Sequence, residues 1–156
     1  MTHAIQIAMA FLGSLGFAVM FHVKGIKLFF CGLGGAVTWA IFLGVKIFGD
    51  SIIGGFFIAT LSASLISEIL ARKIKAPVIM FLVPMLVPLI PGSDLYYTTS
   101  HLINNRMQEF GSGLTLLLQK VGAMAFGIIL MASFVQIFLY GKQSFLKGLM
   151  RLKKKT

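Results

Sequence analysis

The feature that most constrains this chain is its succession of long apolar runs. Residues 4–22 (AIQIAMAFLGSLGFAVMFH), 28–45 (LFFCGLGGAVTWAIFLGV) and 51–70 (SIIGGFFIATLSASLISEIL) each match the roughly 20 residues that a helix needs to cross a lipid core about 30 Å thick. A shorter run covers 76–91, and a longer one, 114–140, is interrupted by Lys120. Composition agrees: 58% of the residues are hydrophobic and 12% charged, against about 25% charged in soluble domains. The expected fold is therefore all-α, a polytopic membrane protein of about five transmembrane helices.

The charges predict its orientation. Lys24 and Lys27 lie in the first connection, Arg72, Lys73 and Lys75 in the third, and Lys142, Lys147, Arg151, Lys153, Lys154 and Lys155 in the tail. With five crossings these share one side and hold eleven of the fourteen basic residues. Lys46 (offset by Asp50) and Arg106 (with Asp94 and Glu109) fall opposite. Basic residues collect on the cytoplasmic side, so the N-terminus is expected outside and the C-terminus in the cytoplasm. Residues 1–141 read as a transmembrane domain and 142–156 as a basic cytoplasmic tail that meets anionic membrane lipid. The net charge of +10 needs no nucleic-acid partner, because no basic stripe with interleaved aromatics lies outside the spans. MTHAIQ lacks a basic region and no small-residue cleavage site follows, so the first run reads as a retained helix. Cys31 is the one cysteine and forms no intrachain disulfide.

All four prolines, Pro77, Pro84, Pro88 and Pro91, fall within PVIMFLVPMLVPLIPG. Proline removes a helix hydrogen bond and clashes with the preceding turn. Irregular backbone survives at membrane depth only inside protein or beside a wet cavity. The fourth span is thus expected to be proline-broken and to face the interior. Pro91-Gly92-Ser93 reads as the break and Ser93 as the N-cap of a new helix over 94–110. Asp94 then sits in its first turn, where a carboxylate suits the helix dipole. Broken helices of this kind form substrate sites in secondary transporters; the other reading is a kink leading to an outer loop. Clusters of glycine (Gly13 and Gly16, Gly32 with Gly34 and Gly35, Gly54 and Gly55, Gly122 and Gly127) predict close helix packing.

The stretch LVPMLVPLIPG followed by PGSDLYYTT, then LINNRMQEFG and VGAMAFGIIL, resembles the threonine/serine exporter family over essentially the whole chain. Within it, the chain is similar to short members that match only the C-terminal membrane half of full-length exporters. The resemblance implies export of small hydrophilic metabolites: threonine and serine in some members, succinate in at least one split system. It also implies a partner, a larger membrane subunit with a cytoplasmic domain and its own spans, and a bacterial inner-membrane location. Asp94 departs from the commoner family pattern of a small or apolar residue there, which leaves the substrate open.

The expected substrate site comprises Pro84, Pro88, Pro91, Gly92, Ser93, Asp94, Tyr96, Tyr97 and Lys120. Backbone groups freed by the prolines would be ligands, and Asp94 would take an amino group or a coupling cation. Lys120 either meets a substrate carboxylate, pairs with Asp94 or Glu109, or snorkels to the outer interface. Thr60, Ser64 and Glu68 share a helix face with Ser67 beside them. They form a polar path with Glu68 as a second ion-coupling residue, or else the hydroxyls bond back to their own helix and Glu68 pairs with Arg72. Trp39, Tyr96, Tyr97 and Tyr140 read first as interface anchors. His3, His22 and His101 lack metal-ligand spacing, and no phosphate loop, nucleophile elbow or HExxH motif is present, so neither a cofactor nor an enzyme is expected. A small exporter subunit, a homo-oligomer, and a non-transporting assembly or scaffold subunit are the arrangements this size allows.

Overall fold

The structure, a computed structural model, describes the backbone of residues 2–49 and 51–153 and the side chains of those through Leu139. Asp50, Lys154 and Lys155 fall outside the described residues, as do the side chains of Tyr140 and of the other tail cations. Among the described residues there are six α-helices and no strand: α1 Thr2–Met20, α2 Ile26–Gly49, α3 Ile52–Ile74, α4 Val78–Leu86, α5 Gly92–Ile103 and α6 Met107–Lys153, with a 3₁₀ turn Val87–Leu89 after α4. Four segments (α1, α2, α3 and Met107–Leu139 of α6) are long and apolar enough to cross a membrane. The segments Val78–Leu89 and Gly92–Ile103 make a fifth if they count as one span bent by 59°.

Local chemistry sets the ends. The Ser51 hydroxyl accepts from the Gly54 N–H at 3.1 Å and starts α3. Three helices end on a residue in the left-handed region: His22 (φ 57°), Lys75 (φ 52°) and Asn105 (φ 56°). In each, the following N–H reaches back five residues: Val23 to Ala18, Ala76 to Ala71 and Arg106 to His101. These are Schellman turns, which satisfy carbonyls that a helix end leaves open.

The last of these turns corrects the expectation of a helix over 94–110. The Asn104 amide donates to the Ser100 carbonyl at 2.8 Å, Asn105 turns left-handed, and α5 stops at Ile103. Asn104, Asn105 and Arg106 form a turn between α5 and α6. The start is also earlier than expected: Pro91 is the N-cap, without a side-chain cap bond, and Ser93 lies inside the helix. Proline suits an early position because its missing N–H would have had no partner there. The last helix begins at Met107, well before residue 114, and runs on through Lys153.

Helix α2 packs between α1 and α3, α4 packs against all three, α6 packs on α3, and α5 packs on α6. The centre is the proline segment. Phe81 and Met85 are fully buried among Ala18, Cys31, Ala63 and Ala71. Leu89 is buried with Phe42, Leu43, Phe56 and Ala59. Glycine makes this possible at α1–α2 and α3–α6: a Cβ at Gly35 would collide with the Ser14 side chain, and one at Gly127 with Thr60 and the Phe57 carbonyl. Gly13, Gly16 and Gly122 face open space and serve no such contact.

Candidate functional site

Three of the four prolines release carbonyls that have found a donor close by. Pro84 cannot donate to the Met80 carbonyl, and the Cys31 thiol of α2 does so instead at 3.6 Å. Pro88 leaves the Pro84 carbonyl, which accepts from the Val87 N–H. Pro91 leaves the Val87 carbonyl, which accepts from the Ile90 N–H at 3.2 Å. These short-range bonds tighten the chain into the 3₁₀ turn. Each of the three carbonyls thus already accepts one hydrogen bond. Pro84 is itself fully buried. Pro88 borders a different cleft of about 270 Å³, shared with α1 and with Trp39 of α2. Trp39 sits mid-helix with its ring 5.0 Å from that of Phe42, away from either helix end.

Beyond the break the polar side chains converge. Asp94, in the first turn of α5, accepts from the Lys120 ammonium of α6 at 2.7 Å. The side chains are 27% and 10% exposed. Lys120 also lies 5.7 Å from the centre of the Phe56 ring of α3, a cation–π distance. A lysine this buried is costly unless paired, so the pair explains how α6 carries a cation within its apolar stretch. At the far end of α5, Glu109 Oε2 lies 2.8 Å from His101 Nδ1 and accepts from Arg106 at 3.4 Å. Between the two ionic ties lies a cleft of about 310 Å³ lined by Asp94, Tyr97, Thr98, His101, Glu109 and Ser112, among others. Gly113 lets α6 approach there, since a Cβ would press on the Thr98 hydroxyl.

Of the residues expected in the site, Asp94 and Tyr97 line the cleft; Lys120 is joined to it through Asp94 and is not part of its lining. Pro91, Gly92 and Ser93 form the bend beside them, with Gly92 and Ser93 exposed. Tyr96 is exposed and stacks edge-on against Tyr97 at 5.5 Å, outside the cleft lining. Glu68 does not line the cleft; it holds Arg72 at 2.7 Å. The Thr60 hydroxyl donates to the Phe56 and Phe57 carbonyls and Ser67 to Ser64, so these hydroxyls bond within their own helix. Thr98, His101 and Ser112 were missed as cleft residues. Their signal was a joint one: Asp94, Thr98 and His101 share a face of α5, and Glu109, Ser112, Leu116 and Lys120 share a face of α6.

Residues 6–134 match the family described as Threonine/Serine exporter, ThrE. No curated protein and no solved structure matches the chain.

Proposed function

Because the chain belongs to the threonine/serine exporter family, a family of transporters, we propose that it is the small subunit of a secondary exporter of small hydrophilic metabolites. The solutes are threonine and serine or a dicarboxylate such as succinate, and the chain acts with a larger membrane subunit of the same family. It lies in the bacterial inner membrane with its N-terminus outside and its basic C-terminal segment in the cytoplasm. The α4–α5 pair acts as one broken span whose second half carries the solute site.

The observation that carries this reading is the ion pair of Asp94 and Lys120 beside the α5–α6 cleft. A mostly buried cation next to a carboxylate offers partners for both ends of an amino acid, and for one end of a dicarboxylate. Asp94 is also the main candidate for a coupling ion. Glu68, tied to Arg72 within α3, is the lesser one. Efflux of preloaded labelled threonine and succinate tests the proposal in cells carrying this chain, its presumed partner, or both. Efflux only with both supports the split exporter. Efflux with this chain alone replaces it with a homo-oligomeric transporter. No efflux with both proteins in the membrane removes these two solutes and favours a scaffold subunit.

A further inference from the structure

The span of α6 has two opposite faces of different chemistry. Its buried residues Leu117, Lys120, Gly127 and Met131 share one face, on which Gly127 sits close against Thr60 and the Phe57 carbonyl of α3. On the opposite face lie Thr115, Gln119, Gly122, Phe126, Ile129 and Ser133, all of them exposed. If lipid covered this outward stripe, it should be the most apolar part of the helix, because acyl chains offer no partner to an amide or a hydroxyl. The pattern is reversed: four of the six are small or polar, while the bulky Val121 and Phe134 are exposed on either side of the stripe. Gln119 lies about 8 Å inside the apolar run 114–140. The Thr115 hydroxyl donates to the Gly111 carbonyl at 2.9 Å and keeps its acceptor capacity for a neighbour. A Cβ at Gly122 would meet nothing within 4 Å in its own chain, so the backbone there is open to close approach. Alongside, α3 and α6 leave a groove of about 540 Å³, lined by Ile53, Phe57, Gln119, Gly122 and Phe126, among others.

We infer that this stripe is a helix-pairing surface and that its occupant is α6 of a second copy of this chain, set parallel. Three observations favour a second copy. The stripe carries no charge, and its amide and hydroxyls both donate and accept, so it is complementary to itself. Its spacing alternates four and three residues from Thr115 to Ser133, the seven-residue repeat that keeps two helices in contact along a left-handed pair. Two copies inserted the same way present the stripe at the same depth. A two-fold axis along the membrane normal then brings each stripe residue to its own counterpart, glycine to glycine and amide to amide. Polar side chains hydrogen-bond across helices in this way, and small residues let the backbones approach. An exporter assembled through this face holds two copies of this chain, whatever solute it carries.

Disulfide cross-linking in membranes of cells that carry this chain and the larger subunit tests the pairing. Cys31 is the one cysteine and is fully buried, so the unaltered chain serves as the blank. Single cysteines are introduced on the stripe (Gln119→Cys, Gly122→Cys, Phe126→Cys) and at its sides (Val121→Cys, Phe134→Cys). On oxidation the stripe variants should form a dimer of this chain in yields several-fold above the side variants. In a second measurement, donor- and acceptor-labelled copies should show energy transfer that Gly122→Leu abolishes at unchanged membrane levels and Val121→Leu preserves. Equal yields at all five positions mark random collision and overturn the pairing. Cross-links to the larger subunit in place of a second copy assign the stripe to that subunit and overturn it as well. So does the absence of cross-links at every position, or energy transfer that survives Gly122→Leu.

Discussion

Replacing Cys31 tests how the proline helix is held in the bundle. Cys31 is fully buried, and its thiol donates to the Met80 carbonyl at 3.6 Å. Cys31→Ala removes two things: one heavy atom from a packed interior, and the donor on a carbonyl that Pro84 cannot serve. The lost atom costs about 1 kcal/mol. An unmet buried carbonyl costs about 1–3 kcal/mol, and a thiol, being a weak donor, places this case near the lower end at about 1 kcal/mol. The single substitution is therefore expected to cost about 2 kcal/mol. In a Pro84→Ala background the new N–H at position 84 serves Met80, and Cys31→Ala should cost only the cavity, about 1 kcal/mol. The coupling in the double-mutant cycle is then about 1 kcal/mol. Cys31→Ser, which keeps a donor, should stay near the parent.

The assay is reversible unfolding in mixed detergent micelles, followed by the fluorescence of Trp39, the one tryptophan in the chain. A coupling below about 0.3 kcal/mol, within the additivity of independent sites, would refute the assignment of the thiol to the freed carbonyl.

Outcomes are also expected at four other positions. Gly35→Ala should destabilise by about 1–3 kcal/mol, because its Cβ collides with Ser14 and forces α1 from α2. Gly16→Ala, which meets nothing within 4 Å, should change stability by no more than about 0.5 kcal/mol in the same unfolding assay. At Lys75, whose φ is 52°, Lys75→Val should cost about 1–2 kcal/mol and Lys75→Gly should gain up to about 1 kcal/mol; equal effects would remove the left-handed cap as the reason α3 ends there. Glu68→Gln breaks a one-turn pair whose arginine side chain is 47% exposed, so stability should fall by about 0.5 kcal/mol or less and efflux should persist. Lost efflux at normal membrane levels would move the coupling ion to α3.

The helices were legible because membrane spans announce themselves in runs of apolar residues, and the pairing of Lys120 with Asp94 was among the alternatives open to a buried lysine. The end of α5 was not legible. Asn104 and Asn105 fit an amphipathic face as well as a turn, and only the left-handed Asn105 and the Arg106-to-His101 bond decide between them. The cleft escaped notice because it belongs to two helices at once: each face is visible in the sequence, but that the two meet depends on where the turn falls.

The proline segment has two parts with different surroundings. Up to Leu89 the segment is a packed wedge, with Phe81, Pro84, Met85 and Leu89 buried and its released carbonyls engaged. From Gly92 the chain leaves that core, bends by 59° and packs on α6. The break thus separates an anchored half from a half tied to α6 near its two ends, by the Asp94–Lys120 ion pair and by the His101–Glu109 contact. The proline segment therefore marks the boundary between a half packed into the core and a half packed on α6, where Lys120 holds Asp94.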